Sequence, residues 1–181
     1  MQPTPAPRWA VADDVPALLA LVHAAYRAGP ESAGGWTTEA DLLDGLRATD
    51  EMVLEMIKHP SGGVLYYPDP EAPERPVACC QLEWHGESGY FGLFAVRPLR
   101  QGGGLGKAVL AEAERRVAEH GCTRMRMTVL SARTDLIAFY RRRGYEASGG
   151  TTPFPYGDER FGIPKRDDLE FVELVKQLNI S

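Results

Sequence analysis

The stretch that decides the fold is Val96–Lys107, which reads VRPLRQGGGLGK. It follows an apolar segment with strand character and leads into the most regular helical pattern of the chain. Glycines let backbone N–H groups approach a ligand closely because they carry no Cβ. The first N–H groups of a helix lack an intrahelical acceptor, and the helix dipole favours an anion there. The stretch therefore predicts a pyrophosphate-binding turn, to which Lys107, Arg100 and Arg97 could add positive charge.

Two other classes of phosphate-binding loop do not fit this spacing. A P-loop needs Gly five residues before Gly106 and Ser or Thr after Lys107, where this chain has Gln101 and Ala108. A dinucleotide-binding fingerprint needs G-x-G-x-x-G, and no glycine of the run starts that spacing. The residues alone leave open a glycine-rich turn that merely caps a helix.

The elements around the turn predict an α/β fold with a mixed, mostly antiparallel sheet and helices on both faces. The short link at 85–89 indicates an antiparallel hairpin between two of the strands. The order is β-α-α-β-β-β-α-β-α-β-β. Strands are expected at 8–11, 63–67, 77–84, 90–96, 124–129, from 145 and at 169–178, and helices at 13–28, from 38, at 51–58, 104–120 and 131–143.

A second motif, FYRRRGY at residues 139–145, lies one helix and one strand after the glycine turn. The two motifs together resemble the GNAT superfamily of N-acetyltransferases. In that family the loop reads Arg/Gln-x-x-Gly-x-Gly/Ala, and a later segment reads Phe-Tyr, three mostly polar residues, then Gly-Phe/Tyr. The resemblance spans roughly Arg8 to Leu178, with specific motifs only from Phe94 to Tyr145. It implies the GNAT-like acyl-CoA N-acyltransferase fold.

The resemblance implies acetyl-CoA as the acetyl donor. In the family, the loop amides bind the CoA diphosphate and the preceding strand pairs with the pantetheine arm. Arg133 stands where many members carry an Asn that contacts this arm, seven residues before Tyr140. The cofactor-binding residues expected here are therefore Phe94, Ala95, Val96, Gln101, Gly102, Gly103, Gly104, Leu105, Gly106, Lys107 and Arg133.

The family resemblance also gives Tyr140 a catalytic role. The thiolate that leaves the thioester benefits from a proton, and a phenol with a pKa near 10 stays protonated at neutral pH. By its helical spacing alone, Tyr140 could equally be a core aromatic residue. Many relatives carry a carboxylate base on the strand before the loop, and this chain has none there. Glu83, on the neighbouring strand, is the candidate base.

The resemblance implies a small amine as the acceptor, attacked directly in a ternary complex. The substrate-side segments contain Trp36, Phe154 and Tyr156, which are the expected substrate contacts. The long loop at 153–164 reads as a pocket wall; an exposed loop or a contact in a homodimer stays open. A non-catalytic acyl-CoA sensor of the same fold is the alternative function.

Composition and charge bear on the number of domains, on binding partners and on the location of the protein. The chain has 181 residues and a net charge of -5, which predicts one domain at 8–181 after a loose tail at 1–7, with no affinity for nucleic acid or an anionic membrane. The three cysteines, two of them adjacent, indicate reduced buried thiols rather than disulfides. No metal-ligand spacing is evident in the sequence. These features predict a cytoplasmic protein.

Overall fold

A computed structural model describes residues 4–26, 43–44, 48–98, 104–153, 163–164 and 169–178. Within these residues the helices and strands follow the predicted order, with two very short strands in addition. The strands are β1 Arg8–Trp9, β2 Leu43–Asp44, β3 Gly62–Pro68, β4 Pro76–His85, β5 Ser88–Val96, β6 Arg124–Leu130, β7 Glu146–Pro153, β8 Ile163–Pro164 and β9 Glu170–Gln177. The helices are α1 Val15–Tyr26, α2 Asp50–Lys58, α3 Leu105–Glu119 and α4 Thr134–Arg141.

Seven strands form one sheet in the order β1-β3-β4-β5-β6-β9-β7, and β2 pairs with β8 apart from it. The ladder between β5 and β6 is parallel, and the other ladders among the described strands are antiparallel. The predicted mixed, mostly antiparallel sheet is therefore confirmed, as is the β4–β5 hairpin, which turns at Gly86 with a φ of 57°.

Two hydrophobic clusters cover the two faces of the sheet. The side chains of β3 alternate between the two clusters, because successive side chains of a strand point to opposite faces of the sheet. Val64 and Tyr66 pack with α1 and α2, whereas Leu65 and Tyr67 pack with α3 and α4. The predicted arrangement of helices on both faces is confirmed. In the described part of the chain, no helix combines the length and apolar character needed to cross a bilayer.

Helix α3 has the amphipathic pattern read from the sequence. Its row at i+4 spacing, Val109, Ala113 and Val117, is fully buried against the sheet. Gly104 precedes the helix in the left-handed region with a φ of 83°, and Gly121 ends it at 89°. The boundaries of this helix were therefore readable from glycine positions.

The helix expected at 131–143 is shorter than predicted, spanning only Thr134–Arg141. Arg133 has a φ of -86° and a ψ of 68°, so it stands outside the helical region as the N-cap residue. Gly144, with a φ of 98°, follows the last turn as expected. The first helix also begins later in the chain than predicted, because a 3-10 turn at Ala12–Asp14 precedes it. The predicted helix start at residue 38 lies outside the described residues, but Leu43–Asp44, shortly after it, form strand β2 rather than the expected helix.

Candidate active site

A cavity of about 230 Å³ opens where β5 and β6 diverge. The parallel ladder joins the first residues of the two strands and ends with the pair Tyr90 and Arg126. Beyond it, each strand keeps its other neighbour, β4 for β5 and β9 for β6. The cavity walls are Ala48, Met52, Met56, Gln81, Tyr90, Phe91, Gly92, Leu93, Phe94, Met127, Thr128, Val129, Leu136, Tyr140 and Phe171.

This cavity reaches both faces of the sheet. Met52 and Met56 come from α2, on one face, while Leu136 and Tyr140 come from α4, on the other. Gln81 lies on the α2 side, because it alternates along β4 in step with Cys79, which packs with α1 and α2. A gap between two strands thus connects two compartments that a continuous sheet would keep apart.

A bulge in β5 shapes the cavity wall. Cys79 pairs with Ala95 and Gln81 with Gly92, so β5 has one extra residue between these pairs. Leu93 has a φ of 45°, the only positive value among the described non-glycine residues. Such strain in a non-glycine residue persists only where the surroundings enforce it, and it concentrates at functional sites.

The bulge also places two aromatic rings on the same face. In a regular strand Phe91 and Phe94 would point to opposite faces, yet both pack with α3 and α4, with ring centroids 5.2 Å apart. The Cys79 thiol, on the neighbouring strand β4, donates a hydrogen bond to the carbonyl oxygen of Leu93 at 3.4 Å and so contacts the bulged segment. Burial raises the pKa of this thiol to about 12, so it stays protonated and can donate.

Tyr140 lies in the cavity wall at the centre of an aromatic cluster. Its side chain is buried at 3% exposure. Its ring centroid is 6.4 Å from those of Phe91 and Phe94, 5.4 Å from that of Phe139 and 6.0 Å from that of Tyr145. The two interpretations of this residue are therefore compatible, because it is a core aromatic residue and also lines the cavity.

The start of α3 supplies the described part of the predicted phosphate-binding turn. Gly104 is exposed. The first helical hydrogen bond runs from the Ala108 N–H to the carbonyl oxygen of Gly104. The amides of Leu105, Gly106 and Lys107 precede that bond, in the first turn where helix geometry provides no acceptor. The Leu105 side chain is buried in the core.

Two of the arginines considered as cofactor contacts have other partners. Arg97 binds Asp69 at 2.8 Å and the carbonyl oxygen of Pro76 at 2.7 Å. The guanidinium of Arg133 is buried and lies 3.3 Å from Asp135. Arg133 thus anchors the first turn of α4, and its role in cofactor binding stays a prediction.

Glu83 lies one side chain behind the cavity wall. Its Oε2 accepts a hydrogen bond from the Gln81 amide at 3.2 Å, and its Oε1 lies 2.8 Å from His59 Nε2. Gln81 is 8% exposed and lines the cavity itself. The sequence analysis named Glu83 but neither Gln81 nor His59. Neither belongs to a recognisable motif, and the contact between His59 and Glu83 is long-range.

Several predicted site residues fall outside the described residues, namely Gln101, Gly102, Gly103, Trp36, Phe154 and Tyr156. Apart from Arg133 at the start of α4, the remaining residues predicted to contact the cofactor lie at two places. Phe94, Ala95 and Val96 form the end of β5, and Gly104 to Lys107 lie at the start of α3, the next helix along the chain.

Solved structures similar in fold to this chain include N-acetyltransferases. The ribosomal-protein-S18-alanine N-acetyltransferase from Escherichia coli has a TM-score of 0.69 at 13% identity, covering 97% of this chain and 95% of its own. PaiA N-acetyltransferase from Thermoplasma acidophilum, in complex with coenzyme A, has a TM-score of 0.65 at 15% identity, covering 96% and 98%. Ribosomal-protein-alanine N-acetyltransferase from Brucella melitensis has a TM-score of 0.62 at 22% identity, covering 96% and 99%.

These likenesses show that the chain shares the fold of these acetyltransferases. A sequence profile described as the acetyltransferase (GNAT) family matches residues 22–145 of the chain. The chain therefore belongs to the GNAT family of acetyltransferases, and the family resemblance read from the two motifs is confirmed. A comparison with curated protein sequences finds no significant match.

Proposed function

We propose that the chain is an acetyl-CoA-dependent N-acetyltransferase that acetylates a small amine by direct attack in a ternary complex. The observation that carries the proposal is the cavity that passes between β5 and β6 and reaches both faces of the sheet. A thioester entering from the α3 and α4 face and an amine entering from the α1 and α2 face would meet there. Holding two reactants in contact converts a bimolecular step into an effectively unimolecular one.

The donor side uses two backbone features. The first turn of α3 offers amide donors and the positive end of the helix dipole to the CoA diphosphate. Gly104 supports this, because a residue without a Cβ at the helix start lets a ligand approach those amides closely. The pantetheine arm is proposed to run along the end of β5 towards the bulge at Leu93, which brings the thioester into the cavity.

At the acetyl carbon of the donor, one bond forms and one bond breaks. The amine nitrogen attacks the thioester carbonyl carbon, the carbon–sulfur bond breaks, and the nitrogen loses a proton. The sulfur leaves as a thiolate and takes a proton from the Tyr140 hydroxyl, which regains one from solvent. The products are the amide and CoA with a free thiol. Support for Tyr140 comes from its place in the cavity wall, on the face where the donor enters.

The proton lost by the amine has a proposed acceptor in Glu83. Its carboxylate lies behind Gln81, so a proton reaches it through an intervening water rather than by direct contact. It is 21% exposed at the side chain, which connects it to solvent. No carboxylate lines the cavity among the described residues. This arrangement supports an amine that attacks in its neutral form, with Glu83 supplying negative charge nearby.

A panel assay tests the proposal and separates it from a non-catalytic sensor of the same fold. Acetyl-CoA is titrated into the protein by calorimetry, and thiol release is then followed with amino acids, alkylamines, polyamines and peptides. Binding with thiol release supports the enzyme. Binding without turnover on any amine favours the sensor, and the absence of binding refutes both.

A further inference from the structure

A group of polar side chains lies directly behind the cavity wall, at the end of α2 and along β4. His59 Nε2 is 2.8 Å from Glu83 Oε1, and His85 Nε2 is 3.6 Å from the same oxygen. The Gln81 amide donates to Glu83 Oε2 at 3.2 Å. Both oxygens of one carboxylate are therefore engaged, and one of the side chains bound to it also lines the cavity.

The backbone determines the direction of these hydrogen bonds. The Ser61 N–H donates to His59 Nδ1 at 3.0 Å, so Nδ1 must carry its lone pair. A neutral imidazole has one protonated nitrogen, which is then Nε2, and Nε2 donates to Glu83. The main chain of one turn thus fixes the tautomer of His59 and makes it a donor to the carboxylate.

The same logic fixes the amide of Gln81. An ionised carboxylate can only accept hydrogen bonds, so the NH₂ end of Gln81 must face Glu83. The carbonyl oxygen Oε1 then points the other way. It lies 2.8 Å from where a Cβ would stand on Gly92, its partner across the β4–β5 ladder and a residue of the cavity wall. The series of hydrogen bonds from His59 through Glu83 to Gln81 therefore ends at an acceptor oxygen beside the cavity.

Divalent metal binding is the competing interpretation of this group. One ligand atom each from His59, Glu83 and His85 lie within 4.8 Å of one another. A histidine that binds a metal through Nε2 carries its proton on Nδ1 and donates it to an acceptor. The Ser61 N–H presents a donor at that nitrogen instead. The observed partner thus opposes metal binding by His59 and favours the hydrogen-bonded chain.

We propose that Gln81 Oε1 accepts a hydrogen bond from the N–H of the acceptor amine, and that Glu83 and His59 are positioning residues that hold the amide in this orientation. The inference rests on the proposed function and adds a substrate class to it. Met52 and Met56 line the same cavity as Gln81. The acceptor is therefore an amine whose neighbouring carbon atoms are apolar.

The test compares kinetic constants for a primary alkylamine such as hexylamine. Gln81→Met keeps the length of the side chain and removes the acceptor. We expect KM for the amine to rise roughly 10- to 100-fold, because the N–H of the bound amine is left without an acceptor, while KM for acetyl-CoA is unchanged. A general structural defect would move both constants and the melting temperature.

Glu83→Gln tests the positioning role without removing Gln81. The new amide has one NH₂ end, which must face either the His59 N–H or the Gln81 NH₂, so the orientation of Gln81 is no longer fixed. Because Glu83 is also the proposed proton acceptor, kcat falls; the positioning role adds a rise in KM for the amine of about tenfold or more, in the same direction as for Gln81→Met. Glu87→Gln, the same chemical change at an exposed residue of the neighbouring turn, is the matched control.

Wild-type turnover on the amine panel is the positive control for the proposed function. If wild type is active with hexylamine and Gln81→Met leaves its KM within about twofold, the inference fails while the proposed function stands. Activity confined to amines whose nitrogen is flanked by charged groups would also overturn it. So would inhibition by micromolar Zn²⁺ that Glu83→Gln abolishes, because the metal would then be the ligand of this group.

Discussion

Replacing Tyr140 with Phe removes one hydroxyl group and leaves the ring. The ring has four aromatic neighbours at centroid distances of 5.4 to 6.4 Å, and all of them remain in contact with Phe. Loss of the hydroxyl is expected to cost about 1 kcal/mol of stability, or roughly 2–4 °C in melting temperature for a chain of this size. If Tyr140 protonates the leaving thiolate, kcat falls roughly 10²- to 10⁴-fold, which is about 3–5 kcal/mol of transition-state stabilisation.

The assay is thiol release under saturating acetyl-CoA, with the melting temperature measured in parallel. Tyr145→Phe is the matched control, because the same change is made at a buried tyrosine 6.0 Å away. The Tyr145 hydroxyl donates to Glu114 Oε2 at 2.8 Å, and the residue does not line the cavity. This control should lose stability and keep kcat. A Tyr140→Phe enzyme with nearly full kcat would refute the general-acid role.

Three further predictions concern the frame of the site. Gly104→Ala should cost about 1–2 kcal/mol in urea unfolding, since its φ of 83° disfavours a side chain although a Cβ would meet nothing within 4 Å; a larger loss would indicate a steric cause. Asp14→Asn should cost about 1 kcal/mol at pH 7. Its hydrogen bonds to Arg8 lower the pKa of Asp14 below 3.8, so the difference from wild type should disappear as the pH falls through that lowered value, and persistence there would contradict the ion pair. The three buried cysteines should not react with a thiol reagent until the protein unfolds, and a fast-reacting thiol in the native protein would contradict their burial.

Features that depend on local sequence could be predicted. Helix α3 was predicted at 104–120, and it is followed by Gly121, because the residue after a helix C-terminus commonly adopts a positive φ. The β4–β5 hairpin followed from two strand patterns separated by a short polar link. The family followed from the glycine turn and the Phe-Tyr motif, whose order and spacing are specific.

Features that depend on pairing between distant segments could not be predicted. The extra residue at Leu93 is invisible in a pattern of alternating apolar residues, because every side chain from Phe91 to Val96 except that of Gly92 is apolar. The sheet order β6-β9-β7 likewise depends on which edge the last strand joins. The contact of His59 with Glu83 joins residues 24 positions apart in the chain, and only the fold brings them together.

The most direct test of the account is a crystal structure of the protein with acetyl-CoA. We expect the diphosphate on the first turn of α3 at Gly104–Lys107, the pantetheine arm along the end of β5, and the thioester carbonyl between β5 and β6 with its sulfur near the Tyr140 hydroxyl. A cofactor bound elsewhere, or a thioester that does not enter the cavity between the two strands, would contradict the account.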